Sequence, residues 1–321
     1  MTNLHSKDML KFNIKKAQMK TRIIIGLLLL SNFIQAQQDE QMSLYMQNQL
    51  YYNPAYAGSR NALSAIAIAR FQWVQFDGAP NTQWFSVHTP LLQQTLGAGI
   101  HAVNDRIGNR NRMAVFADFN ASIRLNENNT RLAVGLSGGA DVIGYDFTSV
   151  KVNDPNDPYY GSVFSVTKAN MGAGMYCYSD RFFVGISSPR LFEEKDIKLD
   201  SLYEHLNARH FFLSGGYVFD LNSVFKLKPS ALIKYTPKAP LTVDLNLSLL
   251  MYDQIWVGLM YRYNEAMGVN AVYNIKKTLS IGYSYDFPIN GLRTYQYGSH
   301  EIFVRYDFLP KKTTYTSPRY F

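Results

Sequence analysis

The sequence is short of cysteine, of charge and of catalytic signatures. Cys177 is the only cysteine in 321 residues, so no disulfide can form within the chain. Charged residues make up 17%, while aromatics reach 14%, a balance low in charge and rich in Tyr and Phe for a soluble domain. His88, His101, His205, His210 and His300 are scattered, and none has metal-ligand spacing. No glycine-rich phosphate loop leads from a strand into a helix. A metal, a cofactor and an enzymatic role all lack positive support. Two weaker patterns remain. Ser86 and His88 fall on one face of FSVHTPL, as a hydrolytic pair could, but a polar pair facing the lumen is much the commoner origin of such a pattern. Asn153 to Gly161, NDPNDPYYG, gathers carboxylates and amides that could meet a cation, but Asn and Asp before Pro are ordinary turn formers.

The formal net charge of +8 is mostly a property of the first residues. Met19 to Gln37 reads MKTRIIIGLLLLSNFIQAQ, with Lys20 and Arg22 before an apolar run and Ala36 at a plausible cleavage point. That order is a secretory signal, and the run is too short to span a membrane. Residues 1–36 are therefore expected to be an extension plus signal, with Met19 as the start. No cysteine follows the run, which argues against a lipid anchor. Removing this part takes six of 32 basic and one of 24 acidic residues, leaving a formal +3. The basic balance is then no sign of nucleic acid. RIGNRNR (Arg106 to Arg112) and Lys276–Lys277 read as solvated loop tips, the first within reach of lipopolysaccharide phosphates if it faces outward.

What is present in quantity is alternation. In Leu241 to Leu249, LTVDLNLSL, the Leu and Val residues share one face and Thr, Asp, Asn and Ser the other. Leu279 to Phe287 and Glu301 to Phe308 repeat the pattern. A period of two means strands with unlike faces. Fourteen such segments are expected: 62–76, 82–91, 96–104, 112–125, 130–144, 168–178, 181–188, 208–219, 224–235, 241–251, 255–263, 267–275, 278–287 and 299–309. Many have the nine to eleven residues that a tilted membrane strand needs. Every second connection is short, and four of the others are long: DRIGNRN, 145–167, 189–207 and PINGLRTYQYGS. Short turns at one end and longer loops at the other is the layout of an outer-membrane barrel. There is no blade-length repeat for a propeller and no linker that would divide two sandwiches. The fold class is all-β, a transmembrane outer-membrane β-barrel of about 14 antiparallel strands. An even count puts both ends of the barrel on the short-turn, periplasmic side. Glycines within LGAGIH, VGLSGGAD, MGAGMY and LSGGYVF suit bends or close packing in the lumen.

The expected organisation is a signal region (1–36), a periplasmic lead-in (37–61), the barrel (62–309) and a tail (310–321). The lead-in contains YNPAYAG, which has neither strand nor helix period. Asn53–Pro54 favours an extended entry into a turn, and Gly58 can take φ > 0 and swing the chain into the first strand. Tyr51, Tyr52 and Tyr56 suit a membrane interface or a packed lumen mouth. The segment then reads as a cap on the periplasmic end.

The run QMSLYMQNQLYYNPAYAGSR, followed by ALSAIAIARFQWVQFDGAPNTQWFSVHTPL, resembles the start of the PorP/SprF family of type IX secretion membrane proteins of Bacteroidetes. GSHEIFVRYDF, Gly298 to Phe308, is similar to the last strand of that family. The tail KKTTYTSPRYF departs from it, and leaves open whether Phe308 or Phe321 is the aromatic end that barrel-insertion machinery favours. The resemblance implies an outer-membrane component supporting export or surface attachment of cargo, often large adhesins, in some members for gliding motility. It implies no catalytic residue and no cofactor. Expected partners are outer-membrane lipid, other type IX components and a secreted cargo protein, with no nucleic acid. The residues that carry the resemblance are Asn53, Pro54, Tyr56, Ala57 and Gly58, expected to shape the periplasmic mouth. Arg70, Gln72, Trp73, Asp77, Gly78, Ala79 and Pro80 are expected to shape the first strand and an outer turn where cargo or a partner docks. The alternatives are a channel or hydrophobic-solute transporter of the fatty-acid-transporter type, and an esterase using Ser86 and His88.

Overall fold

The computed structural model describes residues 40–148, 161–192, 197–199, 202–204, 209–237, 239–276, 278–309 and 320–321. The signal, the start at Met19, the cation reading of 153–160 and most of the tail lie outside these residues. The strands are β1 (Leu63–Phe71), β2 (Asn81–Leu91), β3 (Leu96–Ile107), β4 (Arg110–Arg124), β5 (Arg131–Asp146), β6 (Val163–Tyr178) and β7 (Phe182–Ser188). A small hairpin follows, β8 (Ile197–Leu199) with β9 (Leu202–Glu204). Then come β10 (Phe211–Tyr217), β11 (Phe219–Asp220), β12 (Phe225–Tyr235), β13 (Thr242–Met251), β14 (Ile255–Arg262), β15 (Ala266–Ile275), β16 (Leu279–Pro288) and β17 (Ser299–Phe308).

Wall strands pair antiparallel in chain order, with β7 pairing to β10 and both β10 and β11 to β12, and β1 pairs with β17, so the sheet closes. β10 and β11 are two pieces of one wall strand, because Gly216 faces Ser230 and Phe219 faces Leu227 in a single register of β12. With β8 and β9 outside the wall, the result is a closed antiparallel barrel of 14 strands.

The alternation in the sequence becomes a wall with its apolar face outward. On β13, Leu245 and Leu247 are 47% and 46% exposed, while Asp244 on the opposite, inward face is 0% exposed. On β17, Ile302, Val304, Tyr306 and Phe308 face out, and Glu301, Phe303, Arg305 and Asp307 face in. Water could not solvate such an exterior cheaply, whereas lipid can, and a closed barrel leaves no unpaired edge in the hydrocarbon. Tyr235, Tyr263 and Phe287 ring the outer wall near one end, with Tyr217, Tyr252 and Phe308 near the other. Such girdles mark the two interfaces of a membrane barrel.

Connections 92–95, 125–130, 179–181, 221–224, 252–254 and 276–278 lie at one end, the short-turn end. The longer 72–80, 147–162, 189–210 and 289–298 lie at the other, the long-loop end. Three expected boundaries move. β1 stops at Phe71 rather than 76, because Gln72 N–H donates to Pro80 O and Trp73 and Gln75 take φ of 47° and 74°. The expected DRIGNRN loop shrinks to Gly108–Asn109, since β3 and β4 pair up to Ile107 and Arg110. β6 begins at Val163, five residues before its expected start, where Val163 pairs with Asp146.

Candidate functional site: a lumen filled by the N-terminal segment

Residues 41–62 are almost all buried although they lie in no strand. They run down the lumen as three single turns of 3-10 helix, Tyr45–Gln47, Gln49–Tyr51 and Pro54–Tyr56. Proline cannot continue an extended ladder but suits the first position of a helical turn. Asn53 caps that turn, its Oδ1 accepting from Ala55 N–H at 2.9 Å while Nδ2 donates to Met175 O at 2.9 Å.

The segment is tied first at the long-loop end. Arg70 donates to Asp286 at 2.7 Å, to Glu301 at 3.1 Å and to Ser43 Oγ at 2.7 Å. Glu301 also accepts the backbone N–H groups of Ser43 and Leu44 at 2.8 and 2.7 Å. Arg262 bridges Asp244 (2.8 Å) and Gln41 Oε1 (3.1 Å), and Arg112 pairs with both Asp141 and Glu40. All these guanidiniums are nearly unexposed. Breaking a buried pair by removing one partner typically costs about 3–5 kcal/mol, so these contacts fix the segment in place.

Lower down, Ser86 Oγ donates to Asn48 Oδ1 at 2.8 Å and Arg305 to Gln47 Oε1 at 2.8 Å. Ser187 Oγ donates to Tyr52 O at 2.8 Å. Asn120 Nδ2 donates to the carbonyls of Ala55 and Ala57. Here the wall is made of glycine because the segment's backbone presses against it. A Cβ on Gly97 would stand 2.1 Å from Ala57 O, on Gly135 2.3 Å from Ala55 N, and on Gly174 2.1 Å from Asn53 Oδ1. Tyr56 packs edge-on against His88 and Tyr176. Gly58 takes φ +73° and donates its N–H to His88 Nδ1 at 3.0 Å. Arg60 then pairs with Asp307 at 3.0 Å, at the short-turn end where β1 begins.

Asn53, Pro54, Tyr56, Ala57 and Gly58 thus come together in the lower lumen. Residues 41–52 extend well beyond a cap on one mouth and reach the long-loop end, because a polar inner wall offers them partners along its whole length. Arg70 belongs with this lumen group and not with an outer turn. Gln72, Trp73, Asp77, Gly78, Ala79 and Pro80 form the β1–β2 connection. Gly78 has φ +71° and its O accepts from Gly108 N–H at 2.9 Å. Asp77 is exposed, and Trp73 stacks edge-on with Phe76. A cavity of about 520 Å³ opens beside this connection, lined by Arg70, Trp73, Arg262, Glu265 and Gln296.

The solvated reading of RIGNRNR holds for Arg106 alone: Arg110 is half-buried and Arg112 is a lumen residue. Period two gives the reason: β3 and β4 pair up to Ile107 and Arg110, which leaves a two-residue turn and puts Arg112 on the inward phase of β4. Ser86 and His88 are both engaged by the segment, with Asn48 and Gly58. The partners Ser43, Asp244, Arg262, Asp286 and Glu301 went unnoticed in the sequence. For the four charged ones the signal was charge at inward-phase positions of membrane strands, where an ionisable group marks a partner or a pathway; Ser43 carried none.

A closed barrel with an apolar outer wall, aromatic girdles and a polar, occupied interior defines an outer-membrane β-barrel protein. A family model described as type IX secretion system membrane protein PorP/SprF matches residues 34–306. The chain belongs to the PorP/SprF family and is an outer-membrane component of type IX secretion. No curated protein matches the sequence. Among solved structures it is similar to the outer membrane protein Omp33 of Acinetobacter baumannii, with TM-score 0.46 and 10% identity over 77% of this chain and 98% of that one. It is also similar to a Pseudomonas aeruginosa FadL homologue, with TM-score 0.45 and 13% identity over 80% and 93%. A mutant of the monoaromatic hydrocarbon channel TodX gives TM-score 0.47 and 10% identity over 81% and 94%.

Proposed function

We propose that this protein supports export or surface attachment of specific cargo as a non-conducting, non-enzymatic platform, and not as the conduit. The carrying observation is the filled lumen. Residues 41–62 occupy it from end to end, held by Arg70, Arg112, Arg262 and Arg60. Among the described residues, this segment takes up the lumen space that a cargo chain would need. Family membership supplies the secretion context. In this reading the short-turn end faces the periplasm and meets other type IX components, and outer-membrane lipid surrounds the apolar wall. The β1–β2 connection, with exposed Asp77 and Gly78 and the neighbouring cavity, is the cargo-facing surface. The cargo is a large surface protein, an adhesin of gliding motility being one such protein.

The experiment compares culture medium and surface proteins of deleted and complemented strains by mass spectrometry. Loss of one or a few large surface proteins, or their retention in the periplasm, is the expected outcome. An unchanged exported set would sink the reading. Within the complemented strain, Tyr56→Ala and Gly78→Ala are expected to impair export more than substitutions in 145–167; equal effects would remove the assigned roles.

A further inference from the structure

The cavity of about 520 Å³ beside the β1–β2 connection lies at the long-loop mouth, and its size is that of a small-ligand pocket. Its walls are fixed to one another. Val74 N–H donates to Gly298 O at 3.0 Å and Tyr297 N–H to Val74 O at 3.2 Å, which joins the β1–β2 connection to the β16–β17 connection. Trp73 N–H donates to Ser299 Oγ at 3.3 Å. Trp73 holds φ at 47°, in the left-handed region where a bulky residue is rare, and packs edge-on to Phe76 with centroids 6.2 Å apart. Residues held in such a conformation cluster at binding sites, where the surroundings over-determine them.

The lining charges are already spent. Arg70 donates to Asp286 at 2.7 Å. Arg262 stands 3.5 Å from Glu265, and Glu265 also accepts from Gln41 Nε2 at 2.9 Å. An anionic ligand would meet these carboxylates without an unpaired cation, and a cationic one would compete with two arginines. What the lining keeps free is neutral. Gln72 continues the inward phase of β1, and among the described residues neither its amide nor the Thr242 hydroxyl makes a hydrogen bond. Asn290 and Gln296 use their oxygens, on Leu292 N–H at 3.1 Å and Gly298 N–H at 2.7 Å, which leaves each amide nitrogen to donate. These groups share the cavity with Trp73.

A ligand matched to them is uncharged, donates and accepts at several points, and has an apolar face for an aromatic ring. A sugar ring has that chemistry: hydroxyls that both donate and accept round its edge, and a face of C–H groups suited to the electron-rich face of an indole. A peptide added as a strand would need a free sheet edge, and the closed wall has none. We propose that Gln72, Trp73, Thr242, Asn290 and Gln296 form a binding site for a neutral pyranose unit of a glycan. As a dock for glycan-bearing cargo the site rests on the secretion reading; sugar binding itself does not.

The test uses the purified barrel in lauryldimethylamine oxide, a detergent without a sugar headgroup. Methyl α-glucoside, α-mannoside and α-galactoside are followed by saturation-transfer NMR, with glucuronic acid and N-acetyl-lysine amide beside them. At least one glycoside is expected to bind saturably with Kd on the order of 1 mM, and the acid and the lysine amide more weakly. Gln72→Met, similar in length but lacking the amide, and Trp73→Ala should each weaken that binding about tenfold at an unchanged urea midpoint. Binding of no glycoside, tightest binding by the acid or the lysine amide, or undiminished binding by both variants would overturn the proposal. Glycans released from the surface proteins of the strain should displace the bound glycoside; displacement by its outer-membrane polysaccharide alone would overturn the cargo source. Sugar binding with unchanged export in the deleted strain would sink the secretion reading and leave the site, and lost export without sugar binding would do the reverse.

Discussion

Gly135 and Gly138 stand three residues apart on β5 and carry opposite consequences. An added methyl at Gly135 would meet the backbone of Ala55 at 2.3 Å, whereas one at Gly138 meets nothing within 4 Å. Gly135→Ala should therefore push the segment off the wall and lower the urea midpoint of the purified barrel, and Gly138→Ala should leave it unchanged. Gly58→Ala adds backbone strain to a clash, because φ is +73° and Cβ would sit 2.9 Å from Pro90 Cα. A residue held in such a region costs about 1–3 kcal/mol, and the loss should appear in the same unfolding curve. At this scale the sequence was partly readable. That Gly58 could take φ > 0 and turn the chain into the first strand was legible from its lack of a Cβ. The wall glycines could be seen as closely packed, but what packs on them comes from residues about forty or more positions earlier, which periodicity does not report.

The elements divide in the same way. Period two made all fourteen wall strands legible, since lipid outside and polar lumen inside impose unlike faces on each. Ends were less legible where a turn follows directly, as at Phe71, or where pairing continues through polar residues, as at Arg110. The N-terminal segment has no period because it has no single environment. Ser43 finds Asp286, and Gln41 finds Glu265, across more than two hundred residues of sequence. Its hold rests on the Arg70–Glu301–Asp286 group, which gives an element-scale prediction. Arg70→Gln leaves two buried carboxylates short of a counter-charge, a loss on the order of 3–5 kcal/mol. The variant should admit current steps in planar bilayers that the unaltered protein lacks. A silent variant with unchanged stability would show that the segment is held without this group.

At the scale of the whole molecule, the unaltered barrel should be silent in planar bilayers over long recordings, and steady conductance would contradict a filled lumen. Fourteen strands could enclose a passage intermediate between side-chain-filled and porin-like barrels. The sequence left that open; the residues that close it come from the chain's own start. Closure of the ring was implied by an apolar exterior with no tolerable edge, but the β1–β17 pairing that achieves it joins residues too distant for a local pattern to reveal.

That pairing bears on the order of assembly. The segment continues into the wall through β1, at the short-turn end, and Glu40, the first described residue, lies beside Arg112 near the opposite mouth. Once β1 and β17 have zipped, drawing some twenty residues lengthwise through a tight polar bore would break and remake each contact in turn. Curling the sheet round a strand-linked thread that is already laid along it breaks none. That difference favours closing the β1–β17 seam after the thread has been laid along the wall.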